Sequence, residues 1–81
     1  ALPILLHYEV NHSYIIELKY LSEKDSDAKA ETQWEEAVAQ IREYAAAPKV
    51  RQFVQNTKLH CIVVQFRTWE LQRMEEIPID L

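Results

Sequence analysis

Residues 58–66, KLHCIVVQF, form a nearly unbroken apolar run in a chain that contains no glycine. Such a run is typical of a strand that is covered on both faces. Residues 13–21 predict a second strand, since apolar side chains alternate along it, and residues 10–13, VNHS, predict the turn before it. The apolar lead-in that contains Pro3 favours an edge strand or an extended segment.

A long amphipathic helix is predicted between the two strands. The polar stretch SEKDSD ends in a helix N-cap at Asp25 or Ser26, with Asp27 favourably placed in the first turn. We expect the helix to end near Ala46, because Pro48 disfavours its continuation. Its predicted buried stripe contains Trp34, Val38, Ile41 and Ala45.

Two further elements complete the predicted order. Residues 48–55 favour a short second helix, whose buried side is expected to contain Val50, Phe53 and Val54. Residues 68–76, TWELQRMEE, alternate as an edge strand does. The order strand, helix, helix, strand, strand predicts an α/β layer fold with a mixed β-sheet flanked by helices.

Length and composition exclude several classes of protein. A chain of 81 residues forms at most one domain, here residues 1–81, with a thin core. No apolar run approaches the roughly 20 residues of a membrane span, so no membrane association is expected. Phosphate-binding loops and dinucleotide fingerprints need glycine and are excluded. Cys61 is the one cysteine, which rules out an internal disulfide and favours a reducing, cytoplasmic location.

Two opposite charges interrupt the strand at 13–21. In SYIIELKY, Ile15, Glu17 and Lys19 share one strand face because the side-chain period is two. An ion pair on a solvated strand is the ordinary interpretation of such a triplet. The apolar flanks and the covering helix instead place the charges in a half-buried setting. A carboxylate that holds Mg²⁺ beside an ammonium that stabilises phosphate charge is one reason for burying them.

The run resembles the E-x-K half of the active-site motif of the PD-(D/E)XK nuclease superfamily. The order and spacing of SYIIELKYL, QWEEAVAQIREYA and LHCIVVQFRTWELQRMEEI are similar to a subfamily found at the C-terminus of proteins with an AAA-ATPase-like domain. QIREY also matches the Q-x-x-x-Y motif of RecB-like members through Gln40 and Tyr44. The resemblance implies a truncated restriction-endonuclease-like core.

The same resemblance implies a role for each matching residue. Glu17 becomes a metal ligand, Lys19 positions or activates the attacking water, and Gln40 and Tyr44 assist. Without the resemblance, Gln40 is an exposed helix residue and Tyr44 a core aromatic. The implied cofactor is Mg²⁺ or Mn²⁺.

The superfamily also needs an aspartate on the preceding strand, and residues 1–8 contain no acid. With a tight turn at VNHS, the residue opposite Glu17 is expected near Leu6. In the related sequences the aspartate precedes a segment similar to PILLHY, so we expect it a few residues before Ala1. The chain is then an N-terminally truncated piece of a longer protein, and is inactive by itself.

The remaining charged and metal-binding side chains carry weaker signals. Four cations are candidates for contacts with a nucleic-acid backbone, although each is more often part of a solvated surface, namely Lys49, Arg51, Lys58 and Arg67. The three histidines, His7, His12 and His60, are interpreted as structural, and no zinc site is expected.

Two functions are therefore considered. The first is a Mg²⁺-dependent nuclease domain that hydrolyses DNA or RNA in the full-length protein, next to an upstream ATPase-like domain. The alternative is a non-catalytic module that keeps the nuclease fold and binds nucleic acid or protein. In either case we expect the apolar lead-in ALPILL to be buried against a partner, since exposed it would form an apolar patch. We expect that partner to be a second copy of the chain in a homodimer.

Overall fold

The computed structural model describes residues 3–8 and 12–79, with the backbone alone for residues 5–8. Four strands form one sheet in the order β1-β2-β3-β4, with bounds Ile4–Tyr8, His12–Leu21, Lys58–Arg67 and Glu70–Glu76. The β1–β2 and β3–β4 pairs are antiparallel, whereas β2 and β3 are parallel. The helices are α1, Asp27–Ala46, and α2, Pro48–Phe53. The predicted α/β fold with a mixed sheet and flanking helices is confirmed.

The ends of α1 follow from its sequence. Ser26 is the N-cap, and its hydroxyl accepts a hydrogen bond from the Lys29 N–H at 3.1 Å. The helix ends where the Ala47 N–H turns back to the carbonyl of Tyr44, and Pro48 then opens α2. Of the predicted turn at VNHS, residues 10 and 11 lie outside the described residues.

The core lies between α1 and one face of the sheet, which we call the inner face. Trp34, Ile41 and Ala45 are buried as predicted, whereas Val38 is only partly buried. They pack against buried residues of the strands, of α2 and its end, and of the C-terminal segment. These residues are Ile15, Cys61, Val63, Val50, Val54 and Ile77. Within the described residues, no helix is long and apolar enough to cross a membrane.

Two burial predictions are wrong. Phe53 is 48% exposed, because α2 is only six residues long and reaches the core through Val50 and the following Val54. β3 was expected to be covered on both faces, but α1 packs on the inner face and no described element covers the outer one. Val64 is buried there among its neighbours in the sheet, whereas Tyr20 is 63% exposed.

Polar side chains attach the start of α1 to the sheet. The buried Gln65 amide donates to the Ala30 carbonyl at 3.0 Å and to the Gln33 side chain at 2.9 Å. The Arg67 guanidinium donates to the Ser22 carbonyl at 3.1 Å and to the Asp25 carbonyl at 2.7 Å. The loop after β2 is thus fixed from both sides, which sets where α1 begins.

The Asp25 carboxylate closes this loop. It accepts hydrogen bonds from Lys29 Nζ at 2.8 Å and from the Ser22 N–H at 2.8 Å. The hydrogen bond from Lys29, and then that from Ser22, lowers the pKa of Asp25 from its ordinary value of 3.8. A lowered folded-state pKa adds stability above pH 3.8, and this stability is lost as the pH falls through the folded value.

We therefore expect Asp25→Asn to lower the melting temperature at pH 7, with a difference from the wild type that shrinks as the pH falls below 3.8. Thermal melts followed by circular dichroism across this pH range measure it. Asp27→Asn is the control, because the Asp27 carboxylate is fully exposed and its one ion-pair partner among the described residues is Arg67, at 3.8 Å. Equal melting temperatures for wild type and Asp25→Asn at pH 7 would contradict the assignment.

Candidate functional site

Glu17 and Lys19 project from the inner face of β2. Their strand neighbours on β3 are Val63 and Gln65, which are both buried. Lys19 Nζ lies 3.6 Å from Glu17 Oε1. Glu17 is 2% exposed and the Lys19 side chain 23% exposed. The Glu17 carboxylate is therefore buried, whereas the Lys19 ammonium lies closer to solvent.

An open cavity of about 310 Å³ lies over this pair. It is lined by Pro3, Glu17, Lys19, Gln40, Glu43 and Tyr44. On α1 the three lining residues lie on the flank beside the buried stripe, because spacings of three and four residues return to one side of a helix. The prediction that Glu17 and Lys19 share a face and that Gln40 lies near them is confirmed. The catalytic roles of these residues stay a prediction.

Two lining residues were missed from the sequence. Glu43 lies three residues after Gln40, so helical spacing was a signal that could have found it. Pro3 was missed because the register of the hairpin was misjudged. Ile4 pairs with Ile16, and one further step in an antiparallel ladder sets Pro3 opposite Glu17.

The expectation that Leu6 faces Glu17 is wrong, because Leu6 pairs with Tyr14. β1 already ends at Tyr8 and β2 begins at His12, so the hairpin is centred closer to the N-terminus than a turn at VNHS requires. Pro3 brings no metal ligand to the position opposite Glu17.

The cavity offers oxygen ligands of the kind that Mg²⁺ or Mn²⁺ accepts. These are the carboxylates of Glu17 and Glu43 and the amide oxygen of Gln40. Among the described residues, no group of three or more His, Cys, Asp or Glu side chains is placed to hold a metal. One or two carboxylates, with waters and substrate phosphates, are what Mg²⁺ sites of enzymes commonly use. The residues therefore fit a cation whose binding depends on substrate.

The four cations proposed for nucleic-acid contacts lie on two different elements. Lys58 and Arg67 are the first and last residues of β3, about 30 Å apart for an extended strand. The Arg67 guanidinium is already used in hydrogen bonds to the loop before α1 and to Gln72. Lys49 and Arg51 lie on α2. A common nucleic-acid surface made by all four stays a prediction.

Cys61 supplies no nucleophile. Its side chain is buried on the inner face, and burial together with the nearby Glu76 raises the pKa of the thiol to about 11. The thiolate needed for attack is therefore scarce at neutral pH.

A comparison with protein families agrees with the geometry of the cavity. The family model of the PD-(D/E)XK nuclease superfamily matches residues 3–76, which is most of the chain. The chain therefore belongs to the PD-(D/E)XK nuclease superfamily. Searches of curated proteins and of solved structures gave no match. The match covers β2 and α1, which carry Glu17, Lys19, Gln40 and Tyr44.

Replacing one member of the charged pair tests whether it serves stability. Lys19→Met leaves the Glu17 carboxylate buried without its partner, and we expect a loss of about 1–3 kcal/mol in the free energy of unfolding. The double variant Glu17→Leu/Lys19→Met removes both charges, and we expect it to be at least as stable as the wild type. Urea denaturation of the three proteins measures this.

Lys29→Met is the matched control, because Lys29 is exposed and its pair with Asp25 is of the i, i+4 type, so we expect a smaller loss of stability than for Lys19→Met. A double variant less stable than Lys19→Met alone would show that the Glu17–Lys19 pair is mainly a structural device.

Proposed function

We propose that this domain is a nuclease module that acts on the phosphodiester backbone of a nucleic acid. The observation that carries the proposal is the Glu17–Lys19 pair, buried under an open cavity rather than directed into solvent. A buried ion pair adds little net stability to a protein. A function of the pair is therefore a better reason than stability for its presence in a small domain. Membership in the PD-(D/E)XK nuclease superfamily supports the same function.

Lys19 has the chemistry needed at a phosphate. Its ammonium carries three N–H donors, and the pair with Glu17 uses only part of this capacity. The free donors suit the non-bridging oxygens of a phosphodiester or a water molecule poised to attack it. A fixed positive charge in a site that partly excludes water stabilises the negative charge that grows in the transition state.

Glu17 and Glu43 are the side chains that would hold a divalent cation, with Gln40 as a neutral neighbour. When bound, Mg²⁺ or Mn²⁺ would supply Lewis-acid stabilisation of phosphate charge and a more acidic water molecule. Glu17 is fixed by β2, whereas the exposed Glu43 on α1 is free to adjust to substrate. Gln40 and Tyr44 line the wall beside them and suit polar contacts with the sugar-phosphate chain.

The context of the domain is part of the proposal. We place it with the RecB-like members, in a longer cytoplasmic protein that also carries an ATPase-like domain, and residues 1–81 form its nuclease-like unit. A homodimer is proposed because large apolar side chains, including Tyr20, Leu71 and Met74, are exposed on the sheet and its edge.

A second function, a non-catalytic binding module, is favoured by one observation. Pro3 occupies the position opposite Glu17, and residues 3–8 of the chain supply no carboxylate from the preceding strand to a cation held there. With Glu43 as the one other carboxylate that lines the cavity, the cation is held weakly. This chain by itself is therefore expected to cut slowly or not at all.

Pro3→Asp separates the two functions. The added carboxylate would face Glu17 across the hairpin, and we expect saturable Mn²⁺ binding and a gain of Mg²⁺-dependent cleavage of plasmid or single-stranded DNA or of RNA. Lys19→Ala in the Pro3→Asp background should abolish this cleavage while leaving Mn²⁺ binding in place. Calorimetry and gel assays measure the two effects separately.

Two matched controls accompany this test. Pro3→Asn also removes the proline but adds no charge, and Ile4→Asp adds the charge one residue later, on the outer face. Neither should gain cleavage. If Pro3→Asp binds no Mn²⁺, or if Ile4→Asp gains as much activity, the cavity is not the proposed cation site and the binding-module function is preferred.

A further inference from the structure

A second group of ionisable side chains lies on the outer face of the sheet, whereas the proposed nuclease site lies on the inner face. His12 Nδ1 lies 2.9 Å from His60 Nε2, and His60 Nδ1 lies 3.2 Å from Glu76 Oε2. The residues come from β2, β3 and β4, so the contacts cross three adjacent strands. The ring of Tyr14 stacks on His60, with centroids 4.9 Å apart and an interplanar angle of 18°.

Glu76 determines which nitrogen of His60 carries the proton. An ionised carboxylate can only accept hydrogen bonds, so the proton of neutral His60 is on Nδ1. The lone pair of His60 is then on Nε2, which is the atom that faces His12. Stacking on Tyr14 fixes the plane of the ring, so this lone pair has a set direction. Metal-binding histidines commonly donate their other ring N–H to a carboxylate, as His60 does to Glu76.

We propose that His12 and His60 form a binding site for a divalent transition-metal ion, oriented by Glu76. With His60 Nε2 as the acceptor, the hydrogen bond between the two nitrogens requires the proton on His12 Nδ1. When neutral His12 instead carries its proton on Nε2, both facing nitrogens have lone pairs, and a rotation of the two rings turns these toward one point beside the line that joins the nitrogens. No proton is then lost from the pair, and the metal replaces a hydrogen bond with two metal–nitrogen bonds.

The spacing of the two nitrogens indicates which metals fit. For metal–nitrogen bonds of about 2.0–2.1 Å, neighbouring ligands at right angles are about 2.8–3.0 Å apart, whereas tetrahedral ligands are about 3.3–3.4 Å apart. The observed 2.9 Å matches the right-angle case. Square-planar and tetragonal nitrogen sites are typical of Cu²⁺ and Ni²⁺. Rotation of the rings at this nitrogen spacing is enough for Cu²⁺ or Ni²⁺, whereas Zn²⁺ also needs the two nitrogens to move apart, so the site is assigned to Cu²⁺ and Ni²⁺.

Solvent completes the coordination. Among the residues whose side chains the structure describes, no third His, Cys, Asp or Glu converges with the pair, and His12 is exposed. Water molecules can therefore fill the remaining positions. The site is distinct from the nuclease cavity, because His12 lies five residues from Glu17 on β2, about 17 Å along the strand, and on the opposite face. Imidazole nitrogen also selects against Mg²⁺, which prefers oxygen ligands.

Calorimetric titration of the full chain with Ni²⁺ at pH 7.5 tests the proposal, with Cu²⁺ as a second probe and Mg²⁺ as the negative one. We expect one equivalent of Ni²⁺ to bind and to raise the melting temperature, because the folded state alone holds the two histidines together. His12→Ala and His60→Ala should each weaken Ni²⁺ binding at least 10-fold. Glu76→Gln, which keeps an acceptor but loses the charge, should weaken it by about 10- to 100-fold.

The controls use neighbouring residues of the same types. Glu75→Gln should leave Ni²⁺ binding unchanged, since Glu75 bonds to Arg73 at 2.7 Å, and so should His7→Ala, since His7 pairs with Ser13 in the register. His12 is exposed, so His12→Ala is expected to fold. Absence of saturable Ni²⁺ binding, wild-type affinity in His12→Ala, or wild-type affinity in Glu76→Gln would each overturn the proposal. None of these results bears on cleavage by Pro3→Asp, which uses the other face.

Discussion

The parallel pairing of β2 with β3 beneath α1 is the constraint on which the rest of the structure depends. A parallel pair needs a crossover connection, and the 20 residues of α1 supply it while covering the face of the sheet they cross. Because β2 and β3 are the two inner strands, most of their side chains that face α1 are buried, although the Lys19 side chain is 23% exposed. Glu17 is buried for this reason and not because its neighbours in sequence are apolar.

Periodicity made the elements predictable from the sequence, and the resemblance to the nuclease superfamily selected Gln40 and Tyr44 among the helix residues. A period of two places Glu17 and Lys19 on one strand face, and a period of 3.6 places Gln40 and Tyr44 on one helix flank. Residues that depend on distances between elements were not predictable in this way. Phe53 could be interpreted as buried until the shortness of α2 was known. The contact of His12 with His60, 48 residues away, requires the parallel register, which no local pattern contains.

The buried Glu17–Lys19 pair differs from the other polar groups of the inner face in how closely it is bonded. An 81-residue chain has a thin core, and the inner face also holds the polar Ser13 and Gln65. Ser13 is satisfied by a hydrogen bond of 2.8 Å to Thr57, and Gln65 by two bonds into α1. The Glu17–Lys19 contact is longer, at 3.6 Å, and opens on a cavity. The polar groups that build the fold are thus closely bonded, whereas the pair in the cavity keeps capacity for a ligand.

The side chain at position 3, one residue before β1, sets which group lines this cavity opposite Glu17. Pairing of Ile4 with Ile16 sets position 3 opposite Glu17, and a slip of one residue would turn every β1 side chain to the other face. Proline is tolerated there because β1 is an edge strand, and aspartate is compatible with the same extended backbone. A carboxylate at position 3 would complete a cluster with Glu17, whereas the proline ring only adds apolar wall. The two proposed functions therefore share one backbone and differ in the side chain at position 3.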